Sequence, residues 1–294
     1  MTSWITTPLS YGFMQRGLLA AVMVGVLCAV IGCYVVLRSM AFLGDALAHS
    51  ILPGVAVAYL LEGNLLIGAL GAALIVALGI GLFSRHGVVK EDTAIGIIFA
   101  AALSLGIVLI STMHTYAVDL THILFGNVLG VSSYDLRLTA LLGGGVLAGL
   151  LILYRPFLVV SFDPVLASTL RLPEQLLRTL LLVLLAVTIV VSMQTVGVGL
   201  VAAMLVTPGA TAYLLARRLP GMMGLAALIG ALSSLCGLYL SFYLNVASGA
   251  AIVLVATAAF IVAYLFAPRR GLLWDRWRSQ RSRTQTSGSA GVPD

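Results

Sequence analysis

The stretch "FLGDALAHSILPG" at 42–54 sets an aspartate and a histidine four positions apart inside an apolar run. In a helix Asp45 and His49 stand one above the other on one face, so a carboxylate oxygen and an imidazole nitrogen are offered to the same point. Three kinds of chemistry suit such a pair. It can supply two ligands to one divalent ion, it can relay a proton, or the two groups can simply satisfy each other. Charge is scarce here, since 61% of the 294 residues are hydrophobic and 9% are charged. A buried pair without a task can be replaced by apolar side chains at no loss of stability, which weighs against the last reading. Two ligands form an incomplete cage, and incompleteness suits passage, because a fully enclosed ion would not leave. Backbone carbonyls near Pro53, water or side chains from another segment would complete the shell in transit.

The elements that must position this pair follow from composition. Mean hydropathy is +1.13, and apolar runs of about 20 residues recur, the helix length that crosses a hydrocarbon layer of roughly 30 Å. Period-two alternation is absent, which excludes an outer-membrane barrel. The chain therefore reads as an all-α polytopic membrane protein. Nine candidate spans lie at about 14–37, 40–62, 64–84, 92–112, 134–154, 174–193, 197–216, 222–244 and 247–267. Eight spans is the rival count, with the first run partly interfacial. No basic stretch followed by a short apolar run and a small-residue cleavage site opens the chain, so no removable signal peptide is expected. Residues 1–270 form the transmembrane domain, and 271–294, containing "WDRWRSQRSRTQTSGSAGVPD", read as a solvated basic and polar tail that can rest on anionic lipid headgroups.

Net charge is +6 and the isoelectric point is near 9.5. In a soluble chain that would point to nucleic acid; here the basic residues report topology. With the tail on the cytoplasmic side, alternation of nine spans puts fourteen of the sixteen Lys and Arg inside, leaving Arg16 and Arg137 outside. On that map Asp45 is the acid that falls within a span. An ionisable group there costs about 3 kcal/mol on insertion scales and marks an ion or substrate route. Cys28, Cys33 and Cys236 have no pairing signature and read as small buried hydrophobes.

Further signals flank this centre. "LPGVAVAYLL" at 52–61 and "TPGATAYLL" at 207–215 place Pro-Gly mid-span on oppositely directed segments, the pattern of an inverted repeat around a pathway. The outer segment "TMHTYAVDLTHILFGNVLGVSS" at 112–133 offers His114, Asp119 and His122 as entrance ligands, or Asp119 as a helix cap and His122 as an interfacial side chain. On the inner side, Asp163-Pro164 in "SFDPVLASTLRLP" is a helix start and Leu172-Pro173 closes the element, so a short helix lies between two spans. Such a knob reads as a docking element. No G-x-x-x-x-G-K-[ST] occurs, so any ATP use belongs to another chain.

Four stretches together carry a resemblance: "VVLRSMAFLGDALAHSILPGVAVAYLL" at 35–61, "VDLTHILFGNVLG" at 118–130, "FDPVLASTLRLP" at 162–173 and "VGVGLVAAMLVTPGATAYLLARR" at 196–218. Over about 35–267 the chain resembles the permeases of metal-cation ABC importers, the manganese, zinc and iron group. The resemblance implies a fold similar to the vitamin B12-type importer permease, a homodimer, a cytoplasmic ATPase subunit docked on each protomer, and an extracellular metal-binding protein. The expected location is the bacterial cytoplasmic membrane, with the C-terminus put inside by the arginines after Phe266. The resemblance further implies that Asp45 and His49 are pathway metal ligands, and that Asp163, Pro164, Ala167, Leu170 and Arg171 belong to the helix seated on the ATPase. "LRSMAFLGDALAH" and "AMLVTPGATAYLL" look closer to manganese-type than to zinc-type members. The expected function is import of Mn²⁺, with Zn²⁺ or Fe²⁺ as alternative cargo, no permanently bound cofactor and ATP on the partner. A proton-coupled secondary transporter and a membrane scaffold are the rival classes.

Overall fold

An apolar run in a lipid interior must satisfy its backbone within itself, and the helix does this locally. The computed structural model describes residues 8–84, 90–112, 128–162 and 164–267. The tail at 271–294 lies outside the described residues, as do His114, Asp119, His122 and Asp163. The helices are α1 (Gly12–Leu37), α2 (Phe42–Ser50), α3 (Leu52–Leu60), α4 (Leu65–Phe83), α5 (Glu91–Ser111), α6 (Ser133–Ile152), α7 (Tyr154–Phe162), α8 (Pro164–Thr169), α9 (Glu174–Val196), α10 (Val198–Leu215), α11 (Leu219–Leu244) and α12 (Ser248–Phe266). Among the described residues nine spans are long and apolar enough to cross a membrane, with α2 and α3 together forming the second. The expected spans are met to within a few residues.

Two local features differ from the sequence reading. The second span is interrupted at Ile51, because Pro53 has no N–H for the carbonyl of His49 and sits instead in the first turn of a new helix. The segment after α6 holds a further helix, α7, whose Pro156 lies early enough to cost no hydrogen bond and whose Phe157 and Val160 are buried.

Helix ends are set by a repeated device. Ser39, Glu62, Arg171 and Asn245 all adopt positive φ, between 50° and 57°. At each of the first three, the following N–H reaches back five residues and the residue's own N–H reaches back three, the Schellman pairing that stops a helix without glycine. At Ser39 this turns the chain from α1 into α2, and at Arg171 it ends α8.

The core forms around α1, which packs against α6, α9, α10 and α11. Lipid gives no hydrophobic drive between helices, so close approach of small residues supplies the contact. A side chain at Gly25 would meet the Gly230 carbonyl at 2.9 Å, and one at Gly32 would collide with the Leu205 carbonyl. The α4, α5, α6 and α12 spans stay mostly uncovered, leaving Ile75, Leu141 and Ile152 exposed on apolar surface. Cys28 and Cys33 are buried as expected, but Cys236 is exposed.

The two Pro-Gly stretches come to different geometry. Pro53 follows a break, whereas Pro208 lies inside the continuous α10.

Candidate functional site

The site is built on α2. Leu43, Gly44, Ala46, Leu47 and Ala48 turn inward, and Gly44 approaches Leu205 of α10 so closely that a methyl there would stand 3.0 Å from its Cδ1. Once that face is buried, helical periodicity leaves Asp45 and His49 together on the other side. The His49 Nε2 lies 3.5 Å from Asp45 Oδ1, with side chains 32% and 47% exposed respectively.

That separation is long for a hydrogen bond. It is close to what a shared ion needs, since two donors each about 2.1 Å from one metal at a tetrahedral angle stand about 3.4 Å apart. The pair thus presents an oxygen and a nitrogen to one point without a strong mutual bond to break. Among the described residues no group of three His, Cys, Asp or Glu that could hold a metal ion gathers.

Helix α5 holds the other side of the pair. Phe99 packs edge-on against Phe42, ring centroids 5.6 Å apart, and lies 6.4 Å from the His49 ring. Farther along α5, Gly106 lets the helix approach the break, where an added methyl would stand 2.8 Å from Leu52 Cβ and 3.1 Å from Pro53 Cδ. The α5 contacts thus flank the aspartate–histidine turn at its start and its end. Next to Ser50, between α3, α4 and α5, opens an apolar groove of about 570 Å³ lined by Pro53, Val57, Ile67 and Leu105 among others.

The knob expected between two spans takes the form of a short helix, α8. Its Ala167 is fully buried, and the large apolar side chains left exposed here are Val165 and Leu166 of α8 and Leu170 just after it. Arg171 carries the left-handed cap. Sequence reasoning misses Val165 and Leu166, although their place opposite Ala167 on a helix marks them. It also misses the pairing of Arg38 with Glu91, in which Nη2 donates to both carboxylate oxygens at 3.0 and 3.2 Å. Their separation of 53 positions leaves no local signal.

Comparison with known proteins adds independent findings. The sequence profile of the ABC 3 transport family matches residues 10–267. The chain is similar to the manganese transport system membrane protein MntC of Halalkalibacterium halodurans, 49% identical over 289 residues, covering 98% of this chain and 99% of that protein. It is similar to the "Probable iron transport system membrane protein" of Haemophilus influenzae, 40% identical over 270 residues, with 92% of this chain and 99% of that protein covered. Its fold matches a chain of the solved structure of PsaBC from Streptococcus pneumoniae in complex with Fab, with TM-score 0.81, 39% identity, and 92% and 97% covered.

Proposed function

The chain belongs to the ABC 3 transport family, and from that premise we propose that it is the membrane permease of an ATP-driven importer of Mn²⁺. One observation carries the reading to particular residues: Asp45 and His49 lie 3.5 Å apart on one face of α2, half-exposed within a span. Asp45 gives an oxygen and His49 a nitrogen to the passing ion, a donor set that Mn²⁺ accepts. The names of similar proteins, MntC of H. halodurans among them, support manganese as cargo.

A carboxylate and an imidazole on the apolar outside of a lone chain would be costly against lipid. A second copy covering that surface removes the cost and brings a second Asp45–His49 pair, so the site is completed by homodimerisation. Transport then follows by alternating access. An extracellular metal-binding protein releases the ion outside, the paired ligands receive it near the dimer axis, and ATP-driven motion of a cytoplasmic ATPase reaches the permease through α8. The exposed Val165, Leu166 and Leu170 offer the apolar contact for that ATPase. The basic ends of the spans support a cytoplasmic location for this face and for the C-terminus.

The H. influenzae relative named for iron keeps Fe²⁺ as the second reading. Zn²⁺ binds such ligands more tightly than Mn²⁺ in general, so selection against it rests largely on the binding protein.

The test is uptake into proteoliposomes holding this chain, its ATPase and its binding protein, with Mn²⁺, Fe²⁺ and Zn²⁺ compared. ATP-dependent Mn²⁺ uptake that vanishes in Asp45→Asn while the complex stays assembled is the expected result. Full uptake in that variant removes the ligand assignment, and uptake without ATP removes the importer class.

A further inference from the structure

Four charged side chains meet where the end of α1 and the starts of α5 and α9 come together. Arg38 is bound to Glu91 at 3.0 Å, with side chains only 7% and 17% exposed. One helix away, Arg178 stands 3.5 Å from Glu174, both about one-third exposed. Helix α9 packs against α1, and Glu174 and Arg178 lie close enough to Arg38 for their charges to bear on it. The cluster is also under-satisfied: Arg38 Nη1 and Arg178 Nε are buried with no hydrogen-bond partner among the described residues.

Its position is as informative as its charge. Glu174 opens α9 directly after α8, held to the α8 cap by its N–H donating to the Leu172 carbonyl at 2.8 Å. The Leu172 N–H in turn donates to the Ala167 carbonyl of α8 at 3.0 Å. At the other end Arg38 adjoins the Ser39 turn into α2, seven residues before Asp45. Glu91 opens α5, the helix whose Phe99 lies against His49. The two ion pairs therefore lie at the ends of α1, α5 and α9, between α8 on one side and the elements that flank the aspartate–histidine pair on the other.

We propose that the Arg38–Glu91 and Glu174–Arg178 cluster is a positioning device that transmits displacement of α8 to the Asp45–His49 turn, so that energy use and ion passage stay coupled. This rests on the transport reading above. Breaking one partner of a buried pair leaves an uncompensated charge and endangers folding, whereas replacing both by apolar residues does not. That difference separates a transmitting role from a purely structural one.

The experiment compares wild type, the double variant R38M/E91L, the swap R38E/E91R and the single E174Q in the reconstituted complex, reading Mn²⁺ taken up per ATP hydrolysed. The expected result is that R38M/E91L hydrolyses ATP but moves at least fivefold less Mn²⁺ per ATP, that the swap regains at least half of the ratio, and that E174Q lowers it as well. E174Q removes a partly exposed partner that folding tolerates, so it reports even where the double variant fails to assemble. Wild-type ratios in R38M/E91L or in E174Q overturn the device while leaving the transport reading intact. Absence of uptake by the wild type overturns the transport reading and the device with it.

Discussion

The ring of Phe99 lies 6.4 Å from the imidazole of His49, and its other neighbour is Phe42, which stands about one turn before Asp45 as His49 stands one turn after it. A phenyl ring from α5 therefore stands beside the imidazole.

Phe99→Ala is expected to raise the KM for Mn²⁺ uptake about threefold to tenfold, the loss that one aromatic contact represents. Uptake kinetics in proteoliposomes measure it, and Phe99→Leu should recover much of the effect because it restores bulk beside the ring. A KM unchanged by Phe99→Ala would mean that the ring only fills space.

Ion binding to the permease should be visible without turnover. Saturating Mn²⁺ is expected to raise the melting temperature of the detergent-purified protein, and at a hundredfold excess over Kd the gain corresponds to about 2.7 kcal/mol. Asp45→Ala and His49→Ala should each abolish the shift while melting near the wild-type temperature without metal, since both side chains are partly exposed. A shift that survives in Asp45→Ala would move the binding site elsewhere.

The inner knob yields a prediction that separates surface from core. Leu170→Glu should cut copurification of the ATPase at least fivefold with little change in the melting of the permease alone, because Leu170 is exposed. Ala167→Glu should instead damage the fold, since a fully buried position cannot accept an unpaired carboxylate. Equal ATPase recovery in wild type and Leu170→Glu would remove α8 as the docking element.

Helix packing can be tested with single methyl groups. Gly32→Ala drives a Cβ into the Leu205 carbonyl and should destabilise the protein by about 1–3 kcal/mol, seen as a lower melting temperature. Gly144→Ala, with open space around its added carbon, should be tolerated.

The second span shows how far local signals reach and where they stop. Its length and the shared face of Asp45 and His49 follow from hydropathy and helical period, both local properties of the chain. The interruption at Ile51 is latent in "ILPG", where a proline lacks the N–H that the fourth preceding carbonyl needs, but a proline alone does not say whether a helix bends, stops or runs on. Pro208 makes the point, since α10 continues through it. The α7 helix is hidden for a similar reason: an apolar stretch next to a span looks like more of the same span, and its separate course depends on Phe157 packing against Tyr34, ring centroids 6.0 Å apart.

By itself the sequence determined that eight or nine apolar segments are long enough to cross a membrane, which ends carry the positive charge, and that one acid stands inside a span with a histidine one turn on. These are consequences of solvent preference and period, and they need no knowledge of which helix meets which. Tertiary structure alone decided that Phe99 flanks His49, that Arg38 pairs with Glu91, and that Ala167 turns inward while Val165 and Leu170 do not. Each of these depends on how closely helices distant in sequence approach, which is set by glycines such as Gly25, Gly32 and Gly106 meeting particular backbones and side chains across the bundle.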